Sequence, residues 1–202
     1  FRFNFYFGFI LSFLGLFGIN SSKSESQFFK IENILKFSKV SEIKLKPLRK
    51  IEYDSNFSEF NTLIKNKKDA SDKYFFVTNN GRWTGFVDEN ILKTVSLKKW
   101  ERNFVGDFKK PIDSFESVSY NDKLWRTIER LEETNEGFLL VLNAADIPLG
   151  IIDRSKIGNF VLNKLGFNLP SEIVNKLNFK NHYPLGIELP RIINSMKQKG
   201  DL

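Results

Sequence analysis

Apolar and polar positions between residues 40 and 165 run through one order twice. In the first copy Asp54 or Ser55 stands where a helix cap belongs, and Phe57, Phe60, Leu63 and Ile64 then share one helical face. The apolar run 74–77 predicts a buried strand, Asn79-Asn80-Gly81 a turn, and 83–87 the returning strand. A further helix is expected from near Glu89, with Ile91, Leu92 and Val95 facing inward. In the second copy Asn121 or Asp122 caps a helix bearing Leu124, Trp125, Ile128 and Leu131, which Gly137 stops. Strands at 138–142 and 149–152 flank the turn Ala144-Ala145-Asp146, and a helix from Ser155 carries Ile157, Phe160, Val161 and Leu165. Pro47 and Pro111 stand 64 residues apart, and Gly85 and Gly150 stand 65 apart. Each half reads as helix, hairpin, helix. Units of about 60 residues are marginal alone, so the two should pack together and share burial.

The chain before this repeat has a different character. Residues 3–19 carry no charge, and their 17 positions reach about 25 Å as a helix, against about 30 Å for a bilayer core. They read as the end of a transmembrane helix, with Gly8, Gly15 and Gly18 in keeping with that setting. Two other readings compete. Phe1, Phe3, Phe5, Phe7 and Phe9 alternate as in a strand, and Arg2 could open a signal peptide, although Asn20-Ser21-Ser22 is a poor cleavage site. The stretch 20–50 holds Lys23, Lys30, Lys36, Lys39, Lys44, Lys46, Arg49 and Lys50 against Glu25, Glu32 and Glu42. Beside a spanning helix such lysines favour the cytoplasmic side and attract anionic headgroups. The expected division is therefore 1–19 as membrane helix end, 20–38 as basic polar linker, 39–98 and 99–165 as the two repeats, and 166–202 as a C-terminal extension. The first residue is Phe1, so the chain reads as a piece of something longer.

Composition then removes chemistry. The 202 residues include no cysteine and one histidine, which excludes disulfides, thiolate metal sites and two-histidine ligand pairs. His182 has no partner imidazole, so no metal or catalytic role is assigned to it. The acid pairs Glu132-Glu133 and Asp88-Glu89 are sequence neighbours, which do not face each other on a helix. No nucleophile elbow, P-loop or dinucleotide fingerprint occurs. No catalytic residue is expected in this chain. The net charge of +7 is spread outside the 20–50 cluster, and Trp83, Trp100 and Trp125 are expected in the core or between the halves, so no nucleic-acid partner is expected.

The doubled order resembles a tandem pair of CBS domains, a Bateman module. The matching residues are Val40-Ser41-Glu42-Ile43, Pro47, Asp54, Phe75-Phe76-Val77, Gly81 and Gly85-Phe86-Val87. The second copy offers Val105, Pro111, Asp122, Leu139-Leu140-Val141 and Gly150-Ile151-Ile152. The resemblance implies an α/β fold of two helix–hairpin–helix halves, whose clefts in many members hold an adenosine nucleotide. It also implies a possible homodimer. Members that bind nucleotide commonly place a hydroxyl and an aspartate after the glycine strand. Here those places hold Asp88 and Ile91, then Asp153 and Lys156. An acid repels phosphate and Ile91 accepts no ribose hydrogen bond, so ordinary AMP or ATP binding is not expected. Weak anion-cleft candidates are Arg82, Asp88, Asp153, Arg154 and Lys156.

The hydrophobic start, basic stretch, divergent pair and tail Asn181-His182-Tyr183-Pro184-Leu185-Gly186-Ile187-Glu188-Leu189-Pro190 together resemble the C-terminal part of site-2-type zinc metalloproteases of the cyanobacterial form. Gly81-Arg82-Trp83 with Gly85 adds to that match. The resemblance implies that the zinc and its His-Glu-x-x-His helix lie in an N-terminal protease half, with this chain as its cytoplasmic regulatory region. A CBS pair on a membrane transporter or channel, and a stand-alone soluble sensor, are the alternatives.

Overall fold

The computed structural model describes residues 21–65, 73–167 and 182–202. The first helix of the described residues, α1 (Ser21–Phe37), is followed by a short 3₁₀ turn, Val40–Glu42. Strand β1 (Lys50–Glu52), helix α2 (Phe57–Lys65), and strands β2 (Tyr74–Asn79) and β3 (Arg82–Asp88) form the first half. Strand β4 (Ser117–Ser119), helix α3 (Leu124–Glu133), strands β5 (Phe138–Leu142) and β6 (Pro148–Asp153), and helix α4 (Arg154–Lys164) repeat that order. A last helix, α5 (Leu189–Lys199), ends on Gly200 in the left-handed conformation.

Both sheets have the same topology. β1 lies parallel to β2, which pairs antiparallel with β3, and β4, β5 and β6 do the same. Each hairpin has one register irregularity, at Val77/Thr78 and at Val141/Leu142. The turns differ. Asn80 and Gly81 both take positive φ, 49° and 77°, which suits the primed two-residue turn of an Asn-Gly hairpin. In the second hairpin the Asn143 side chain accepts the amides of Ala145 and Ile147, both at 2.9 Å.

Three expected features take another form. The helix expected from Glu89 is a 3₁₀ turn, Glu89–Lys93. Thr94 donates both its amide and its hydroxyl to the Ile91 carbonyl, the acceptor that Val95 would need to continue an α-helix. The stretch 20–38, read as a polar linker, contains α1. Its Ile31 and Leu35 are buried with Val40 and Ile43 in the second-half core, because 31, 34 and 35 have helical spacing despite the surrounding lysines. The extension 166–202 is likewise no mere appendage, since Tyr183, Leu189, Ile193 and Met196 are buried in the same core.

The halves interlock. Lys46, just before β1 in sequence, exchanges two backbone hydrogen bonds with Ile151 of β6, both 2.9 Å. Lys110, just before β4, does the same with Phe86 of β3, at 2.8 and 2.9 Å. The start of α3 is tied to Ser38 and Val40, while the start of α2 is tied to Trp100 and Val105 lies on Ser55. Residues leading into each half thus complete the other, so 39–98 and 99–165 bound sequence repeats rather than separate units. Between the sheets lies an aromatic layer of Tyr74, Phe76, Phe86, Phe115 and Phe138, with Trp83 packed against it. Trp100 packs on the first-half core and Trp125 on the second.

The expected membrane segment 3–19 lies outside the described residues. Among the described residues no helix is long and apolar enough to cross a membrane.

Candidate functional site

The glycine strands β3 and β6 end in acids, and these acids are helix caps. Asp88 accepts the amide of Asn90 at 2.7 Å, and Asp153 accepts the amide of Lys156 at 2.8 Å. Each therefore occupies a helical-turn N-terminus where an anion would otherwise be drawn, with one donor used and a like charge in place. Ile91 packs against the first-half core. Lys156 contributes its backbone to the cap. Arg82 opens β3 and Asp88 closes it, so six strand steps, about 20 Å, separate them. Arg82 and Asp88 therefore stand at opposite ends of β3.

Gly85 and Gly150 have a structural reason of their own. A β-carbon on Gly85 would lie 2.4 Å from the Lys110 carbonyl oxygen, and one on Gly150 would lie 2.8 Å from that of Lys46. These are the two exchanged segments. The glycines recur because each must admit a crossing backbone, a reason independent of any ligand.

Arg154 belongs to a different constellation. Its Nε and Nη2 donate to the two carboxylate oxygens of Glu132, each at 2.9 Å, and Nη2 also donates to the Leu131 carbonyl at 3.2 Å. Tyr183 donates its hydroxyl to the same Glu132 carboxylate at 2.8 Å. Burial acts to raise the Glu132 carboxyl, but the hydrogen bonds from Arg154 and Tyr183 and the guanidinium charge outweigh it and hold the group below its usual value. Burial first, and then the bond to Glu132, push the Tyr183 phenol far above its ordinary value. The cluster borders a cleft of about 550 Å³ whose other walls include His182, Gly186, Ile187, Glu188 and Arg191. Arg191 forms an ion pair with Glu188. The acids and bases here neutralise one another in pairs, so the arrangement pins residues 183–186 onto α3 and α4. Sequence reasoning overlooked this cluster. Its signal was the tail 181–190, whose Tyr183 and Pro184 supply the contacts. Among the described residues no group of three or more potential metal ligands gathers.

No protein-family model and no curated protein matches the chain. Solved structures do. The CBS domain of the bacterial CNNM/CorC family Mg²⁺ transporter matches at 15% identity over 78% of this chain and 94% of its own, with a TM-score of 0.51. Its structure in complex with ATP matches at 14% identity over 69% and 97%, also with a TM-score of 0.51. Protein MJ1004 of Methanocaldococcus jannaschii matches at 16% identity over 82% and 92%, with a TM-score of 0.50. The fold is that of a CBS-domain pair. Within this CBS pair, the positions that carry a hydroxyl and an aspartate in the nucleotide-binding pattern are a capping acid and a half-buried isoleucine packed on the core in one half. In the other half they are a capping acid and a lysine.

Proposed function

We propose that the chain is the regulatory CBS-pair region of a membrane-embedded, site-2-type zinc metalloprotease, with residues after 20 on the cytoplasmic side. The observation that carries a regulatory role is the seating of α1. This helix begins two residues after the uncharged run 3–19, and its Ile31 and Leu35 are buried in the second-half core. A change in the pair would therefore reach the end of α1 that adjoins that run in sequence. Regulation then consists of differential contacts in two states of the parent. The tail 181–190 and Gly81-Arg82-Trp83 support the protease as parent. The donor set of this chain, one histidine and no cysteine, does not fit the zinc, which belongs to the catalytic half.

The likeness of fold to the CBS domain of an Mg²⁺ transporter supports a second reading, a transporter as parent. The coding sequence upstream of Phe1 separates the two. A His-Glu-x-x-His within an apolar segment is the expected finding, and several long spans without it would assign the transporter. As to ligand, the capping acids lead us to expect no rise in melting temperature with AMP or ATP; a rise of several degrees would overturn that part.

A further inference from the structure

Helix α1 has two apolar sides. Ile31 and Leu35 face the core, but Phe29 is 61% exposed and Phe37 is 64% exposed on the opposite side. At 100° per residue, Phe29, Lys30, Asn33, Lys36 and Phe37 fall within a sector of about 120°, centred opposite Ile31 and Leu35. The Lys36 ammonium lies 5.9 Å from the Phe37 ring centroid. Glu32 is the one acid between 27 and 37, and it is buried and bonded to Lys199 at 3.1 Å, away from this face. Over residues 27–37 the exposed face therefore combines two aromatic rings with positive charge and no negative charge. Lys39 and Lys44, both exposed, extend the positive charge beyond the helix, and Glu42 between them is paired with Lys164 at 2.9 Å.

We propose that this outward face of α1 rests on an anionic phospholipid surface. The rings would enter the headgroup boundary while the lysine stems lie along it and their ammonium groups meet the phosphates. The proposal deepens, and rests on, the reading of 3–19 as a membrane segment. That run ends two residues before α1, which holds the face near the bilayer. A helix continuing straight out of the membrane would instead carry Phe29 about 15 Å beyond Ile19, clear of the lipid.

The absence of cysteine makes the test direct, since a single introduced thiol takes a nitroxide label without competition. The full chain carrying Phe29→Cys, Phe37→Cys or, as control, the 73% exposed Leu97→Cys is reconstituted into phosphatidylcholine vesicles with and without phosphatidylglycerol. Flotation after an alkaline wash reports the apolar run. Label accessibility to oxygen against a water-soluble nickel chelate reports α1. We expect the oxygen-to-nickel ratio at 29 and 37 to rise several-fold with phosphatidylglycerol and to stay flat at 97. Lys30→Glu with Lys36→Glu should abolish the rise, at roughly fivefold loss of surface attraction per lysine removed. A chain that fails to float removes the membrane reading and this proposal with it. A chain that floats with labels at 29 and 37 as nickel-accessible as at 97 overturns the proposal alone. Dipolar broadening at 29 or 37 would assign the face to a second copy and overturn it too.

Discussion

A β-carbon added to Gly150 would meet the Lys46 carbonyl oxygen at 2.8 Å and Leu45 Cβ at 2.9 Å, both backbone-anchored atoms with little room to move. Gly81 has open space around it and only its φ of 77° to protect. The two glycines therefore predict different costs. Gly150→Ala should lower stability by about 1–3 kcal/mol through overpacking, and Gly81→Ala by about 1 kcal/mol through backbone strain. Urea titrations of both variants check this, and a smaller loss for Gly150→Ala than for Gly81→Ala would contradict it. The 65-residue spacing made Gly85 and Gly150 legible as equivalents, but the reason for them was not legible. It depends on a segment distant in sequence, which no local pattern reveals. Glu132 gives a residue-scale prediction in pH. Its folded pKa lies below the ordinary 4.5, so the ionised form favours the folded state. That stability is present above pH 4.5 and is lost as pH falls through the lowered value. Glu132→Gln should melt lower than the parent at neutral pH, with the gap closing as the acid range is entered. A gap independent of pH would show that packing alone matters there.

Among the elements, α1 and α5 depart most from expectation, and each explains the other. Serine dominates 20–26 and lysines recur at 30 and 36, which obscured the 31, 34, 35 spacing and made the stretch read as a linker. The spacing becomes meaningful only because α5 supplies a neighbouring surface, with Ile193 and Met196 in the same core as Ile31 and Leu35. Lys199 closes the contact on the Glu32 carboxylate, whose side chain is only 10% exposed. Removing the lysine strands a buried charge, whereas removing the acid leaves only an exposed ammonium. Lys199→Met should therefore destabilise the chain by about 1–3 kcal/mol, and Glu32→Gln by less. Hydrogen exchange should locate the Lys199→Met loss in the amides of α1. The reverse ranking would mean that the pair contributes little and that helix packing alone seats α1. In contrast, β2, β3, β5 and β6 were legible almost to the residue, since continuous apolar runs broken by Asn-Gly or Ala-Asp turns admit few other structures.

At the scale of the molecule, the doubled pattern predicted two similar halves and the structure adds how they depend on each other. Each sheet borrows an edge segment from the other half, at Lys46 and Lys110, and each first helix is held at its start by residues of the other copy. The layer between them is aromatic. The Phe115 ring centroid sits 4.1 Å from Phe86, 4.9 Å from Tyr74 and 5.3 Å from Phe138, so one residue of the connecting segment touches both sheets. Neither half can unfold without stripping backbone partners and aromatic contacts from its mate. The expectation is a single cooperative transition rather than two. Trp100 reports on the first half and Trp125 on the second, so variants retaining only one of them, with the other tryptophans changed to phenylalanine, can be followed by fluorescence in urea. The two midpoints should coincide. Phe60→Ala, which empties a fully buried position in the first-half core, should then lower both midpoints together, by an amount equivalent to about 3–5 kcal/mol. If only the Trp100 signal moved, the halves would be separable domains. The exchanged segments would then be too weak to transmit a change from one sheet, through the second-half core, to α1.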